Sequence, residues 1–233
     1  MNWEAITSRL AEDGIAAVGF APLQGLLPPR YSHLPYGVSL VWRLSDAVLD
    51  EVCEAESPSF SYFQHYRAVN AALDNAALWL CARLEREGCR ALPIAASQSV
   101  HDNGPYAGAF PHKTVAVQAG LGWIGKNALF VSPRFGPRVR LATVLTDMPL
   151  PAPAPSVPNG CGGCDRCVTH CPAGALTGQT YLPGSRREDL LDPKKCSEHM
   201  KSAYQNIGRG AVCGVCVSVC PYGRNKAAPP QVL

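Results

Sequence analysis

Residues 161–172 read CGGCDRCVTHCP, and the spacing C-x2-C-x2-C-x3-C-P leaves the chain around them few ways to fold. Three thiolates at three-residue steps on a tight loop reach three corners of one iron–sulfur cubane, and the fourth cysteine turns toward a second cubane. Pro172 ends that loop and has no N–H to leave unsatisfied. A second set, Cys196, Cys213, Cys216 and Cys220-Pro221, keeps C-x2-C-x3-C-P but sets its first cysteine apart by a 16-residue insertion. Crossed ligation then predicts one 4Fe–4S cluster on Cys161, Cys164, Cys167 and Cys220, and another on Cys171, Cys196, Cys213 and Cys216. Zinc is the alternative, but zinc sites pair C-x2-4-C with a distant second pair and rarely use such a run. His170 and His199 are expected at the surface or behind the ligands, since eight thiolates already satisfy two cubanes.

Eleven cysteines in 233 residues would be unusual as disulfides in a reducing compartment, so metal binding is the expectation. Cys53, Cys81 and Cys89 are left over and read as ordinary buried or helix-face cysteines. The N-terminal MNWEAITSRLAEDG has no secretory-signal pattern, and no run approaches the ~20 apolar residues of a membrane span. A cytoplasmic protein with no membrane contact is expected. The formal charge is only +3 and the basic residues are scattered, apart from Arg134, Arg138 and Arg140, so nucleic acid is not an expected partner.

The pattern divides the chain into an α/β domain over 1–148, a Pro-rich connector over 149–160 (PLPAPAPSVPNG), and a double-cluster domain over 161–233. In the first domain helices are predicted over Trp3–Asp13, over DAVLDEVCEAE with Ser45 as N-cap, and from about Ser61 to Glu87. AAVGFAPL, VSLVWRL and CRALPIAA read as strands. NALFVSP and RVRLATVLTD flank the turn RFGP and predict an antiparallel hairpin.

Residues 120–126, GLGWIGK, match G-x-G-x-x-G, yet only seven residues separate Lys126 from Pro133 and they read as a strand. A dinucleotide fold needs a helix there, and a Walker A loop needs Ser or Thr where Asn127 stands. Two readings stay open: a loop whose backbone approaches a ligand with Lys126 beside an anionic group, or a tight packed turn with Trp123 in the core.

HKTVAVQAGLGWIGKNALFVSPRFGPRVRLATVLTDMPL, followed by CGGCDRCVTHCPAGAL, resembles the epoxyqueuosine reductase family, from about Ala17 to Tyr222 and most strongly over 112–176. That resemblance, shared with the core of reductive dehalogenases, implies an α+β chain. A nitroreductase-like mixed α/β N-terminal domain would precede a bacterial two-cluster (2×4Fe–4S) ferredoxin-like domain. It also implies cobalamin or a related corrinoid between them. Lys113 and the stretch Ala119, Gly120, Leu121, Gly122, Trp123, Ile124, Gly125, Lys126 and Asn127 would then lie against the cofactor, with Gly120, Gly122 and Gly125 permitting close approach. The family's acid lies in a segment just upstream, where this chain reads VHDNGPYAGAFPHKTVA; Asp102 is the candidate remnant, with Tyr106 or His112 as alternative proton donors.

The family's tRNA-modifying enzymes continue past the clusters into a helical-repeat region, whereas this sequence ends at Leu233. The expectation is therefore a corrinoid-dependent reductase of a small molecule. The alternatives are an electron-transfer or corrinoid-activating ferredoxin-like protein with no substrate of its own, and a tRNA-modifying epoxyqueuosine reductase. The first two call for an external electron donor, such as a ferredoxin, flavodoxin or reductase, and for a small-molecule substrate or corrinoid protein.

Overall fold

The computed structural model describes residues 1–100 and 105–224. Asp102 lies outside the described residues. Four antiparallel strands, β1 (Ile15–Pro22), β2 (Tyr36–Arg43), β3 (Ala91–Ile94) and β6 (Val139–Thr146), form a sheet in the order β1-β2-β6-β3. Two short strands, β4 (Trp123–Ile124) and β5 (Phe130–Val131), pair only with each other.

The central pair explains why VSLVWRL reads as a continuous apolar run. β2 and β6 pair in register from Tyr36↔Thr146 to Arg43↔Val139. Residues 37–41 are all buried because helices cover both faces. Helix α3 (Phe60–Arg86) crosses one face and α4 (His112–Gln118) the other. Pro93 sits in β3 at the sheet edge, where a missing N–H costs no ladder bond.

Helix α3 starts where Ser59 accepts the Tyr62 N–H at 3.0 Å and stops before Gly88, which turns at φ +81°. Its buried stripe runs Tyr62, Val69, Leu73, Ala77, Leu80, Leu84. Helices α1 (Trp3–Glu12) and α2 (Asp46–Ala55) follow the sequence expectation, but the Ser45 side chain makes no capping bond. Its backbone N–H instead donates to His65 Nε2 at 3.0 Å.

The expected hairpin around RFGP does not form. NALFV folds back on Trp123–Ile124 across the turn at Gly125–Ala128, and RVRLATVLT inserts between β2 and β3. A strand apolar on both sides gains more from a central place in the sheet than from its sequence neighbour. The local turn keeps only the Ser132↔Gly136 bridge.

Helices α5 (Arg166–Thr169), α6 (Pro193–Ala203) and α7 (Val215–Ser218) carry the C-terminal cysteine segment. Val212, Val215, Val217 and Val219 join the same hydrophobic cluster as α1, α3 and the sheet. Cys81 is buried in that cluster, as expected of a small hydrophobe, and Cys53 packs against it. Among the described residues no helix is long and apolar enough to cross a membrane.

Candidate metal centres and the adjoining pocket

The thiols lie near one another in two sets. Burial pushes Cys167 up to about 11, with Cys220, Cys161 and Cys164 as neighbouring thiols adding to the shift. Burial likewise raises Cys213 to about 11, beside Cys196 and Cys171. Cys216 is raised chiefly by burial and faces Cys213, Cys196, Cys167 and Cys171, so Cys167 and Cys216 link the groups.

Local sequence sets this placement. Asp192 caps α6 by accepting the Lys194 and Lys195 N–H groups at 3.0 Å, and Cys196 sits on its first turn. Gly214, at φ +83°, turns the chain between Cys213 and Cys216 and packs on the Tyr62 ring.

Do these residues fit a cluster? Cys171, Cys196, Cys213 and Cys216 line one cavity of about 110 Å³. The Ala175 N–H donates to Cys171 Sγ at 3.4 Å, the kind of bond that supports a thiolate ligand. The donor set, the enclosure and the N–H···S bond suit a cubane. The first group sits on a more open loop, where an added Cβ at Gly162 or Gly163 would meet nothing.

The glycine-rich segment forms the tight packed turn. A Cβ on Gly120 would collide with the backbone of Ala154 and Pro155, one on Gly122 with the Val131 carbonyl, and one on Gly125 with Asn127 and Val131. All three glycines therefore meet protein rather than open space. Trp123 is buried, edge-on to Tyr222 at 5.0 Å between centroids. Asn127 accepts the Leu129 N–H at 3.1 Å and directs its amide toward the Cys216 carbonyl at 3.5 Å. The segment is a bracket that touches the cysteine loops on two sides.

A cavity of about 250 Å³ lies between the sheet, α4 and α7, walled by Tyr62, His112, Lys113, Leu129, Phe130 and Arg140 among others. Leu129 also lines the thiol cavity, so the two spaces share that residue as a wall. Lys113 Nζ donates to the Ala128 carbonyl at 2.9 Å, and burial lowers its pKa. Arg140 donates to Asn70 Oδ1 at 2.9 Å, the Tyr66 hydroxyl at 3.1 Å and the Ala96 carbonyl at 3.0 Å.

His112 is held neutral. Burial lowers its pKa to about 4. Its Nε2 lies 2.9 Å from the Ala95 carbonyl, which can only accept, so Nε2 carries the proton and Nδ1 accepts from the Thr143 hydroxyl at 3.0 Å. A ring engaged at both nitrogens has no proton free for a ligand. Tyr106 stands apart and exposed, at φ +60°, with its carbonyl bound by Arg187 at 2.8 Å. Lys126 is half-buried, and Ala119 and Leu121 line a separate apolar groove of about 650 Å³ beside Trp3 and Pro151–Pro155.

Sequence reasoning missed Tyr62, Leu129, Arg138 and Arg140. Tyr62 is visible as one member of an apolar helix stripe, and Arg138 and Arg140 as part of a short basic group. Only the fold carries them to the thiols and the pocket.

Residues 160–223 match the family described as a 4Fe-4S double cluster binding domain. The chain therefore carries two 4Fe–4S clusters. It is 31% identical over 142 residues to an epoxyqueuosine reductase of Listeria monocytogenes, covering 57% of this chain and 34% of that one. It is 33% identical over 158 residues to a tetrachloroethene reductive dehalogenase of Sulfurospirillum multivorans, covering 62% of this chain and 28% of that one. The chain spans about a third of the length of the first curated relatives it matches.

Its fold is that of a catabolic reductive dehalogenase solved with 3-bromo-4-hydroxybenzoic acid, at a TM-score of 0.73 and 19% identity over 96% of this chain and 32% of that one. An epoxyqueuosine reductase solved with an epoxyqueuosine-modified tRNA stem loop matches at 0.59 and 18%, over 98% of this chain and 67% of that one. A protein of this fold has thus been solved with RNA, which leaves the expectation of no nucleic-acid partner unsupported.

Proposed function

We propose that this chain is an iron–sulfur reductase that passes electrons singly from an external donor, through two clusters, to a small acceptor held beside Lys113 and Arg140. The observation that carries the reading is the shared wall at Leu129, with four thiols on one side and a cation-lined pocket on the other. The similarity to epoxyqueuosine reductases and reductive dehalogenases supports the reaction class.

The chain's residues have separable tasks in this proposal. Cys161, Cys164, Cys167 and Cys220 hold the outer cluster at the open Gly162–Gly163 loop, where a donor such as a ferredoxin or flavodoxin can approach. Cys171, Cys196, Cys213 and Cys216 hold the inner one. Bound clusters supply reversible one-electron chemistry whose potential the surrounding hydrogen bonds tune. Lys113 and Arg140 attract an anionic acceptor, and Leu129 lies between it and the inner cluster. In this scheme residues 1–148 carry the pocket on a nitroreductase-like α/β frame, 149–160 act as a strap, and 161–233 carry the clusters. A cytosolic setting suits it, because free thiols persist there.

A corrinoid between cluster and acceptor is the further step that the resemblance implies. The residues expected to seat it do not converge on one space: Gly120, Gly122 and Gly125 face protein, Lys113 lines the pocket of about 250 Å³, and Ala119 and Leu121 line the groove of about 650 Å³. No step is routed through it.

Anaerobic purification, reconstitution with iron and sulfide, and titration with hydroxocobalamin test both readings. About eight irons per chain, reducible by dithionite and reoxidised by an anionic dye, is the expected result. Fewer irons would remove the cluster assignment. Tight stoichiometric corrinoid uptake would replace direct transfer with the corrinoid reading.

A further inference from the structure

His199 stands one turn beyond Cys196 on α6, so the two side chains share a helix face. It lines the same cavity as Cys171, Cys196, Cys213 and Cys216. Its Nε2 is buried and has no hydrogen-bond partner. Tyr204 braces the ring edge-on, with centroids 5.3 Å apart at 84°. Leaving a buried ring nitrogen unpaired forfeits its hydration with nothing in return, and native structures rarely keep such a group without reason. The cavity it lines offers sulfur as the acceptor.

We propose that His199 donates its Nε2–H to a sulfur of the cluster held by Cys171, Cys196, Cys213 and Cys216, and so sets the potential of that cluster. The inference rests on the cluster reading above. Its effect is electrostatic. When the cluster takes one electron from a donor, no proton moves and no bond breaks, and the N–H dipole stabilises the added negative charge. Reduction therefore becomes easier at the inner cluster alone.

The test is a dithionite titration of the full chain followed by electron paramagnetic resonance, with iron counted first. About eight irons in the wild type separates a failure of this proposal from a failure of the cluster reading. His199→Phe keeps the ring against Tyr204 and removes the donor, while His199→Gln restores an N–H. The expected result is one midpoint lowered in His199→Phe by about tenfold in the reduction equilibrium, 59 mV for a one-electron couple. The other midpoint stays unchanged and His199→Gln recovers most of the shift. Equal midpoints in all three proteins overturn the proposal, as does an equal fall in both variants, which would assign the effect to packing. If His199→Phe fails to keep its iron, wild-type protein grown on 15N-histidine decides the matter. The reduced cluster must then show coupling to a histidine nitrogen, and its absence overturns the proposal.

Discussion

Arg138 donates from Nη2 to the Ser218 carbonyl at 3.2 Å, which ties the entry of β6 to the turn that delivers Cys220. The side chain is 1% exposed, and Nη1 meets Asp46 at 3.1 Å and Asp50 at 3.4 Å. A buried cation with two acids on one side and a cysteine loop on the other joins the two halves of the chain. Arg224 also donates to the Ser218 carbonyl at 2.8 Å, so that acceptor keeps a partner if Arg138 is lost.

Arg138→Met should therefore lose the ion pairs without stranding the carbonyl. We expect a destabilisation of roughly 1–2 kcal/mol, mostly from imperfect packing, because Asp46 keeps its pair with Arg43 and Asp50 is largely solvated. Thermal unfolding of the reconstituted protein checks the magnitude. A change below about 0.5 kcal/mol would show that the pairing carries no weight.

Gly122 has the Val131 carbonyl where a Cβ would stand, and backbone cannot yield as a flexible side chain can. Gly122→Ala should cost about 1–3 kcal/mol by overpacking and loosen the bracket beneath the cysteine loops. Faster loss of iron during anaerobic gel filtration is the expected readout. Unchanged iron retention and stability would mean that the loop tolerates the methyl group.

His112 gives stability a pH dependence of definite sign. Its folded pKa, about 4, lies below the unfolded value near 6.5, so the unfolded chain binds the extra proton. The contribution is complete above pH 6.5 and is lost as the pH falls toward 4, to a total of about 3 kcal/mol. Denaturant midpoints compared at pH 7 and pH 4.5 should fall in the wild type and fall less in His112→Asn. Parallel falls would assign the loss to other groups.

Lys113 and Arg140 line the pocket proposed for the acceptor, with no carboxylate among its described wall residues. Lys113→Met should weaken binding of an anionic dye about fivefold, the worth of one charge-assisted contact of ~1 kcal/mol. A neutral dye should be unaffected, with iron content unchanged. Stopped-flow reoxidation of the reduced protein separates the two, and equal effects on both dyes would place the acceptor elsewhere.

Much of the frame was legible. Helix α3 shows its 3.6-residue stripe and its capping serine, and β2 shows a run apolar on both faces. The glycine-rich segment was half legible: its spacing demanded close approach of something, and that something is the chain's own backbone at Ala154 and Val131. The RFGP hairpin misled because turn residues signal reversal without saying which strand takes the other side.

The cysteine spacing by itself determined the two-cluster chemistry, because a cubane sets a fixed distance between ligands that a short loop either meets or misses. Sequence could not tell that Leu129 lines both the inner thiol cavity and a pocket walled by Lys113 and Arg140, nor that His199 brings an unpaired buried nitrogen to the thiol cavity. Those relations join residues tens of positions apart. They exist only once the antiparallel sheet and the shared hydrophobic core have closed the distance, since no local preference encodes a contact made through packing.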